Sequence, residues 1–332
     1  MCSSHTLVLV AWALVQATQG SRLHSPSQLH LSLVNGSDVM ALCWTIKHIQ
    51  QNEKMDLESK VEYWPEFSPW HRHSVDGIGS SYYKSVHFKA RLTGLQESTK
   101  YCYVIDSAPQ AAGCFKTQSK SRNRKTKFLS YADVGVNRSM PTLKSMGKEK
   151  DIDFIVHGGD IGYGDDIGFD KKKSPGSSLK PGKSGYEYVY DQFMDLIEPL
   201  SRRVPYMVGV GNHDVSSSIL NDGFFDNFTA YRTRWKMPSD ESDGVENMWY
   251  SYNVGPVHIS VIDTESDYDG APTNPHTIIA GGRGGGFRRS QIDWLKQDLQ
   301  TASTDGKLSF IVTGSDANID GSTHKMDRGS RS

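Results

Sequence analysis

Three apolar runs, each ending in polar residues beside glycine, most constrain what this chain can fold into. They are "KFLSYADVG", "IDFIVHGGDIGY" and "VPYMVGVGNHD". A short apolar run bounded by turn residues reads as a buried strand. Two later runs, "VHISVIDT" and "LSFIVTG", have the same character. Between the runs lie stretches of helical spacing, "GYEYVYDQFMDLIEPL" and "SQIDWLKQDLQ". In the second, Ser290 is placed as an N-cap with Asp293 three residues on, a capping-box analogue. Strands alternating with helices indicate a layered α/β domain. Such sheets carry their sites at the C-terminal ends of strands. "DFIVHGGD" reads as a strand that delivers an exposed carboxylate, Asp160, into a tight glycine turn.

The N-terminal part has a different texture. Residues 28–118 contain "HLSLV", "DVMALCWTI", "KVEYWP", "YYKSVHFKARL" and "KYCYVIDSA", rich in aromatic and β-branched residues. Turn-rich pieces, "NGSD" and "HSVDGIGSS", separate them. This pattern predicts a small β-sandwich. "LTGLQESTKYCY" resembles the tyrosine-bearing strand of a fibronectin-III-like module. The basic stretch 119–127, "SKSRNRKTK", reads as a solvated linker to the second domain. Residues 169–185 and 267–289 read as surface loops poor in regular structure.

Among 332 residues, Lys plus Arg number 37 against 38 Asp plus Glu, a net charge of −1. That balance gives no reason to expect a nucleic-acid partner. Residues 1–20, "MCSSHTLVLVAWALVQATQG", read as a secretory signal, its apolar run being too short to span a bilayer. Three cysteines follow it, and Cys102 and Cys114 are placed to staple one strand to the next. Asn35, Asn137 and Asn227 open N-x-S/T sequons and are glycosylation candidates in a secreted chain.

The chemistry concentrates at the three strand ends: Asp133; Asp160 with Tyr163; and Asn212, His213 and Asp214. Carboxylates, a phenolate, an amide oxygen and imidazoles suit Fe, Zn or Mn, and a shared carboxylate can bridge two ions. A single such strand end is more often an Asx-turn. Three together favour a site.

The blocks "ADVG" (132–135), "GDIGY" (159–163) and "GNHD" (211–214), in that order, resemble those of the purple acid phosphatases, within the calcineurin-like metallophosphoesterases. Ala132 stands where that family's first block has glycine. The resemblance implies a β-sandwich at 28–118 and a metallophosphoesterase domain at 127–314. It implies an acid phosphatase cleaving phosphate monoesters with metal-activated hydroxide. The cofactor would be Fe(III) plus a divalent ion (Fe, Zn or Mn). Asp133 and Tyr163 would hold the ferric ion, Asp160 would bridge, and Asn212 would bind the divalent ion. His213 would act as the catalytic histidine beside the substrate phosphate. Gly135, Gly159 and Gly211 would let backbone pass close to the ions. A homodimer and a secreted or vacuolar-lysosomal location are further expectations from the family.

The family's last two blocks, VxxH and GHxH, are not found. Ser315 occupies the position of the first histidine, and His324 in "STHK" lacks the pattern of the second block. The expectation is therefore a C-terminally incomplete domain with a divergent tail at 315–332, from a truncated gene product or a non-catalytic relative. A phosphodiesterase or nucleotide pyrophosphatase of the same family, and an extracellular binding protein on a dead phosphatase fold, stay as alternatives. His157, His258 and His276 match no motif and read as structural.

Overall fold

The computed structural model describes residues 25–34, 36–47, 57–138, 140–164, 183–214, 228–264 and 290–313. The segment 1–20, Asn35, Asn227, His276, Ser315 and His324 lie outside them, so the readings placed on those residues do too.

An all-β region comes first. One antiparallel sheet contains β1 (Pro26–Leu33), β2 (Met40–Lys47), β6 (Ser85–Leu92) and β5 (Ile78–Tyr82), in that order. The other contains β4 (His73–Asp76), β3 (Lys60–Pro65), β7 (Lys100–Ile105) and β8 (Ala112–Lys116). The stretch "HSVDGIGSS", expected as turn, instead forms β4 and most of β5. Each pairs in register with an interior strand, β4 with β3 and β5 with β6, and ladder bonds override weak strand propensity. Trp44 stacks on Phe88 at 5.4 Å and donates its indole N–H to Ser59. Cys102 and Cys114 face each other across β7 and β8 and are joined as a disulfide. Tyr101 Oη accepts the Gln96 N–H at 3.0 Å, tying the start of β7 to the turn before it.

A mixed α/β region follows. Strands β9 (Phe128–Tyr131), β10 (Phe154–His157) and β11 (Tyr206–Val208) form a parallel sheet with β10 central. A second sheet holds β12 (Tyr250–Val254), β13 (Val257–Ile262) and β14 (Leu308–Thr313). The helices are α1 (Gly135–Arg138), α2 (Met140–Met146), α3 (Lys183–Ser201), α4 (Thr229–Arg234) and α5 (Ser290–Thr304). Phe154 of β10 meets Tyr252 of β12 edge-on, and Phe128 meets Phe310 the same way, so the two sheets pack on each other. Residues alternate sides along a strand. His157, three after Phe154, therefore faces away from β12 and contacts Phe193 of α3. On the other side, Asp298 of α5 accepts from Ser251 and Ser260 and contacts His258. The layers are thus helix, sheet, sheet, helix. The run "LSFIVTG" does form a strand, β14 (Leu308–Thr313), but Leu308, Phe310 and Ile311 are substantially exposed, β14 being the edge of its sheet among the described residues.

The two regions share a polar seam. Gln28 Nε2 donates to Asp191 of α3, Ser32 donates to the Lys236 carbonyl, and His30 Nε2 lies 3.1 Å from the Arg234 carbonyl. Period two in β1 sends these polar side chains to one side and Leu31 and Leu33 to the other. Both sides are buried, which is why β1 is enclosed throughout most of its length. The basic stretch 119–127 is anchored, not merely solvated: Arg124 pairs with Asp153, and Lys127 with Glu149. No helix among the described residues is long and apolar enough to cross a membrane.

Candidate metal centre

The register of the parallel sheet sets the site. His157 pairs with Tyr131 on one side and with Val208 on the other, so β9, β10 and β11 end at one level. The ladder continues past the strands, with Gly158 N–H donating to Tyr131 and Gly209 N–H to His157. Beyond that level the chain turns sharply three times. Asp133, Asp160 and Tyr163 all take left-handed backbone, with φ of 59°, 52° and 52°. Non-glycine residues hold this conformation at a cost, and such residues cluster at functional sites.

The first two blocks meet at the Tyr163 hydroxyl. It donates to Asp133 Oδ1 at 2.6 Å and lies 3.3 Å from Asp160 Oδ2. Gly135 lets the ring in, because a Cβ there would stand 3.0 Å from Tyr163 Cδ2. The third block contributes through backbone and ring. The His213 N–H donates to Asp160 Oδ1 at 2.9 Å, and its imidazole lies over the Tyr163 ring at a centroid distance of 4.3 Å. Asn212 sits in the short 3-10 turn Asn212–Asp214, beside these groups in sequence. Asn137, the one sequon asparagine among the described residues, lies in α1.

Asp160 departs from expectation. It is 2% exposed, not a carboxylate presented to solvent, because the turn folds it under the 211–214 segment. Burial pushes its pKa up to about 7. The His213 amide opposes that rise and the neighbouring Asp133 adds to it. Burial and the hydrogen bond to Asp133 likewise hold the Tyr163 phenol in its protonated form. Two carboxylates and a phenol crowded around one point form a hard-oxygen donor set. Their mutual repulsion on ionisation is what a bound cation would relieve. The donor chemistry therefore fits a hard metal ion.

Asp214 is a residue whose part the motif alone did not reveal. Its carboxylate accepts the N–H groups of Asp160, Ile161 and Gly211 at 3.0, 3.0 and 2.9 Å. Tyr186 of α3 donates to its carbonyl. The available signal was an acidic residue closing the "GNHD" block on a buried strand end. His157 is fully buried, hydrogen-bonded to Tyr206 and packed on Tyr131, and its place is in the core. His258 lies between Asn253 and Asp298 on the α5 side of the second sheet. Among the described residues, one group of three or more His, Cys, Asp or Glu donors converges within 4.8 Å: Glu66 with Cys102 and Cys114. The disulfide between those sulfurs leaves no thiolate to bind a metal.

The sequence profile of the calcineurin-like phosphoesterases matches residues 128–315. The chain belongs to that family. Its phosphoesterase domain is homologous to the purple acid phosphatases, and its metal-ligand set among the described residues is incomplete, with no trio of histidines. It is 30% identical over 252 residues to probable purple acid phosphatase 20 of Arabidopsis thaliana, covering 74% of this chain and 51% of that one. It is 26% identical to acid phosphatase type 7 of Homo sapiens, covering 91% of this chain and 60% of that one. The fold is similar to a purple acid phosphatase from yellow lupin (Lupinus luteus) seeds, with TM-score 0.61 at 16% identity over 87% of this chain and 50% of that one. The chain thus spans between half and three-fifths of the length of these relatives.

Proposed function

We propose that this chain carries the phosphoesterase site of an acid phosphatase that hydrolyses phosphate monoesters. The observation that carries the reading is the Tyr163 hydroxyl shared between Asp133 and Asp160. A phenol between two carboxylates suits a ferric ion better than an all-zinc pair. In this reading Asp133 and Tyr163 would hold Fe(III), Asp160 would be a ligand shared with a divalent ion (Fe, Zn or Mn), and Asn212 would serve that divalent ion. The metal pair, when bound, supplies a hydroxide nucleophile in mildly acidic solution and offsets charge on the phosphoryl group. Asp160, held by the His213 amide, keeps the two halves of the site at a fixed spacing. In this reading His213, whose ring lies over Tyr163, donates to a phosphate oxygen or to the leaving group. The Cys102–Cys114 disulfide and the apolar leader in the sequence support a secreted or vacuolar-lysosomal protein. The tyrosine at the start of β7 supports a fibronectin-III-like class for the β-region.

A second reading is an extracellular binding protein that keeps the phosphatase fold. One observation favours it: the position of the VxxH histidine, counted from Val312, is held by Ser315, a poor metal ligand. The test is metal analysis of the purified chain after loading with Fe(III) and Zn(II), with hydrolysis of p-nitrophenyl phosphate and of its bis ester. The proposal expects bound iron and slow turnover of the monoester in preference to the diester, abolished in Asp160→Asn. Diester preference supports the phosphodiesterase alternative. Metal uptake with no turnover of either ester supports the binding protein.

A further inference from the structure

We propose that Asp214 is a positioning residue: its buried carboxylate clamps the backbone of Asp160 and so aims the Asp160 carboxylate into the centre. The inference rests on the proposed reading of Asp160 as a cation ligand.

The geometry is a reciprocal lock between two blocks far apart in sequence. Asp214 Oδ2 takes the N–H groups of Asp160 and Gly211, and Oδ1 takes that of Ile161. In return Asp160 Oδ1 takes the N–H of His213, the residue next to Asp214. Each aspartate therefore fixes the other's turn. Asp160 gains from such support, because its φ of 52° lies in the left-handed region, which carries a cost for an L-residue even though aspartate adopts it more readily than most. Strand β10 ends at His157 and does not itself fix the Asp160 backbone. Asp214 is wholly buried, so water does not stand in for its oxygens.

The clamp is itself held from outside the site. Tyr186 of α3 donates to the Asp214 carbonyl at 2.9 Å. The next residue, Glu187, accepts from Tyr82 of the β-region at 2.5 Å and pairs with Arg234 at 2.7 Å. The β-region thus reaches the candidate ligand through α3 and Asp214. A carboxylate suits the role because both of its oxygens only accept. An asparagine would turn an N–H₂ group toward at least one of the three amide donors.

The experiment compares the full chain with Asp214→Asn, Tyr186→Phe and, as a control, Val61→Ala in the buried core of the β-region. Two quantities are read at a temperature where all are folded. One is Mn²⁺ affinity from the free-ion paramagnetic resonance signal. The other is amide hydrogen exchange in peptides spanning 158–163 and 209–214. The expected result is at least a ten-fold loss of Mn²⁺ affinity and faster exchange in both peptides for Asp214→Asn. Tyr186→Phe should change both in the same direction, by a few-fold. Val61→Ala should lower the melting temperature and leave both quantities unchanged. Wild-type affinity and exchange in Asp214→Asn would overturn the proposal. If Asp214→Asn fails to fold, Tyr186→Phe decides it on the same readings. If the wild-type chain takes up no Mn²⁺, the cation reading of the site fails, and the exchange comparison alone upholds or overturns the clamp.

Discussion

The Tyr163 phenol donates to the Asp133 carboxylate across 2.6 Å, joining two blocks that leave neighbouring strands. Both residues reach that contact from left-handed backbone, and the Tyr163 ring lies close over residue 135, where a Cβ would stand 3.0 Å from Cδ2. Three of the thirteen left-handed non-glycine residues among the described residues, Asp133, Asp160 and Tyr163, stand where the oxygens converge, and such backbone persists where its surroundings enforce it.

Gly135→Ala should therefore damage the centre more than the fold. The added methyl would stand 3.0 Å from Tyr163 Cδ2, and φ is 55°. The left-handed conformation costs an alanine about 1–2 kcal/mol. Urea denaturation should show a loss of that order. Fe(III) titration should show affinity reduced by ten-fold or more, as the phenol is pushed away from Asp133.

Arg234 and Glu187 form a buried ion pair at 2.7 Å, with side-chain exposures of 3% and 0%. Removing one partner from such a pair leaves a buried charge uncompensated and costs about 3–5 kcal/mol. Arg234→Ala should show a loss of this order in denaturant. Arg234→Met combined with Glu187→Leu should lose less, because the wholly buried Glu187 charge is then gone and only the partly exposed Asp191, the arginine's other partner at 2.7 Å, is left without its cation. Equal losses in the single and double variants would contradict this reading of the seam.

Acid should weaken the core through His157. Burial lowers its pKa from 6.5 to about 3. Between those values the unfolded chain binds a proton that the folded chain refuses. The stability linked to His157 is thus fully present above about pH 6.5 and is lost as pH falls toward 3. A shift of this size corresponds to roughly 5 kcal/mol at full development. His157→Gln should therefore lose less stability than wild type as pH falls from 7 to 4, read as the difference between their urea midpoints, because the raised carboxyl of Asp160 works in the opposite direction in both proteins. A residual slope is expected from His87, which burial also lowers.

The sequence made some features legible and hid others for identifiable reasons. The three strand ends could be read because parallel strands in register finish at one edge, so residues just beyond them become neighbours. The disulfide could be read because Cys102 and Cys114 fall on consecutive strands. By contrast, β4 and β5 were hidden in a turn-rich stretch, since their pairing partners and not their own residues make them strands. The burial of Asp160 was hidden because it depends on Asp214, far away in the chain. The enclosed polar side of β1 had no sequence signal, because its partners Asp191 and Arg234 belong to the other region.

Titration of Fe(III) into the wild-type chain and into Tyr163→Phe, followed by visible absorption, tests the central claim most directly. Convergence of Asp133, Asp160 and Tyr163 on one ion predicts a phenolate-to-iron band in the wild type that is missing from the variant, with both proteins equally folded by circular dichroism. A wild-type chain that develops no band, or a variant that develops the same one, would contradict it.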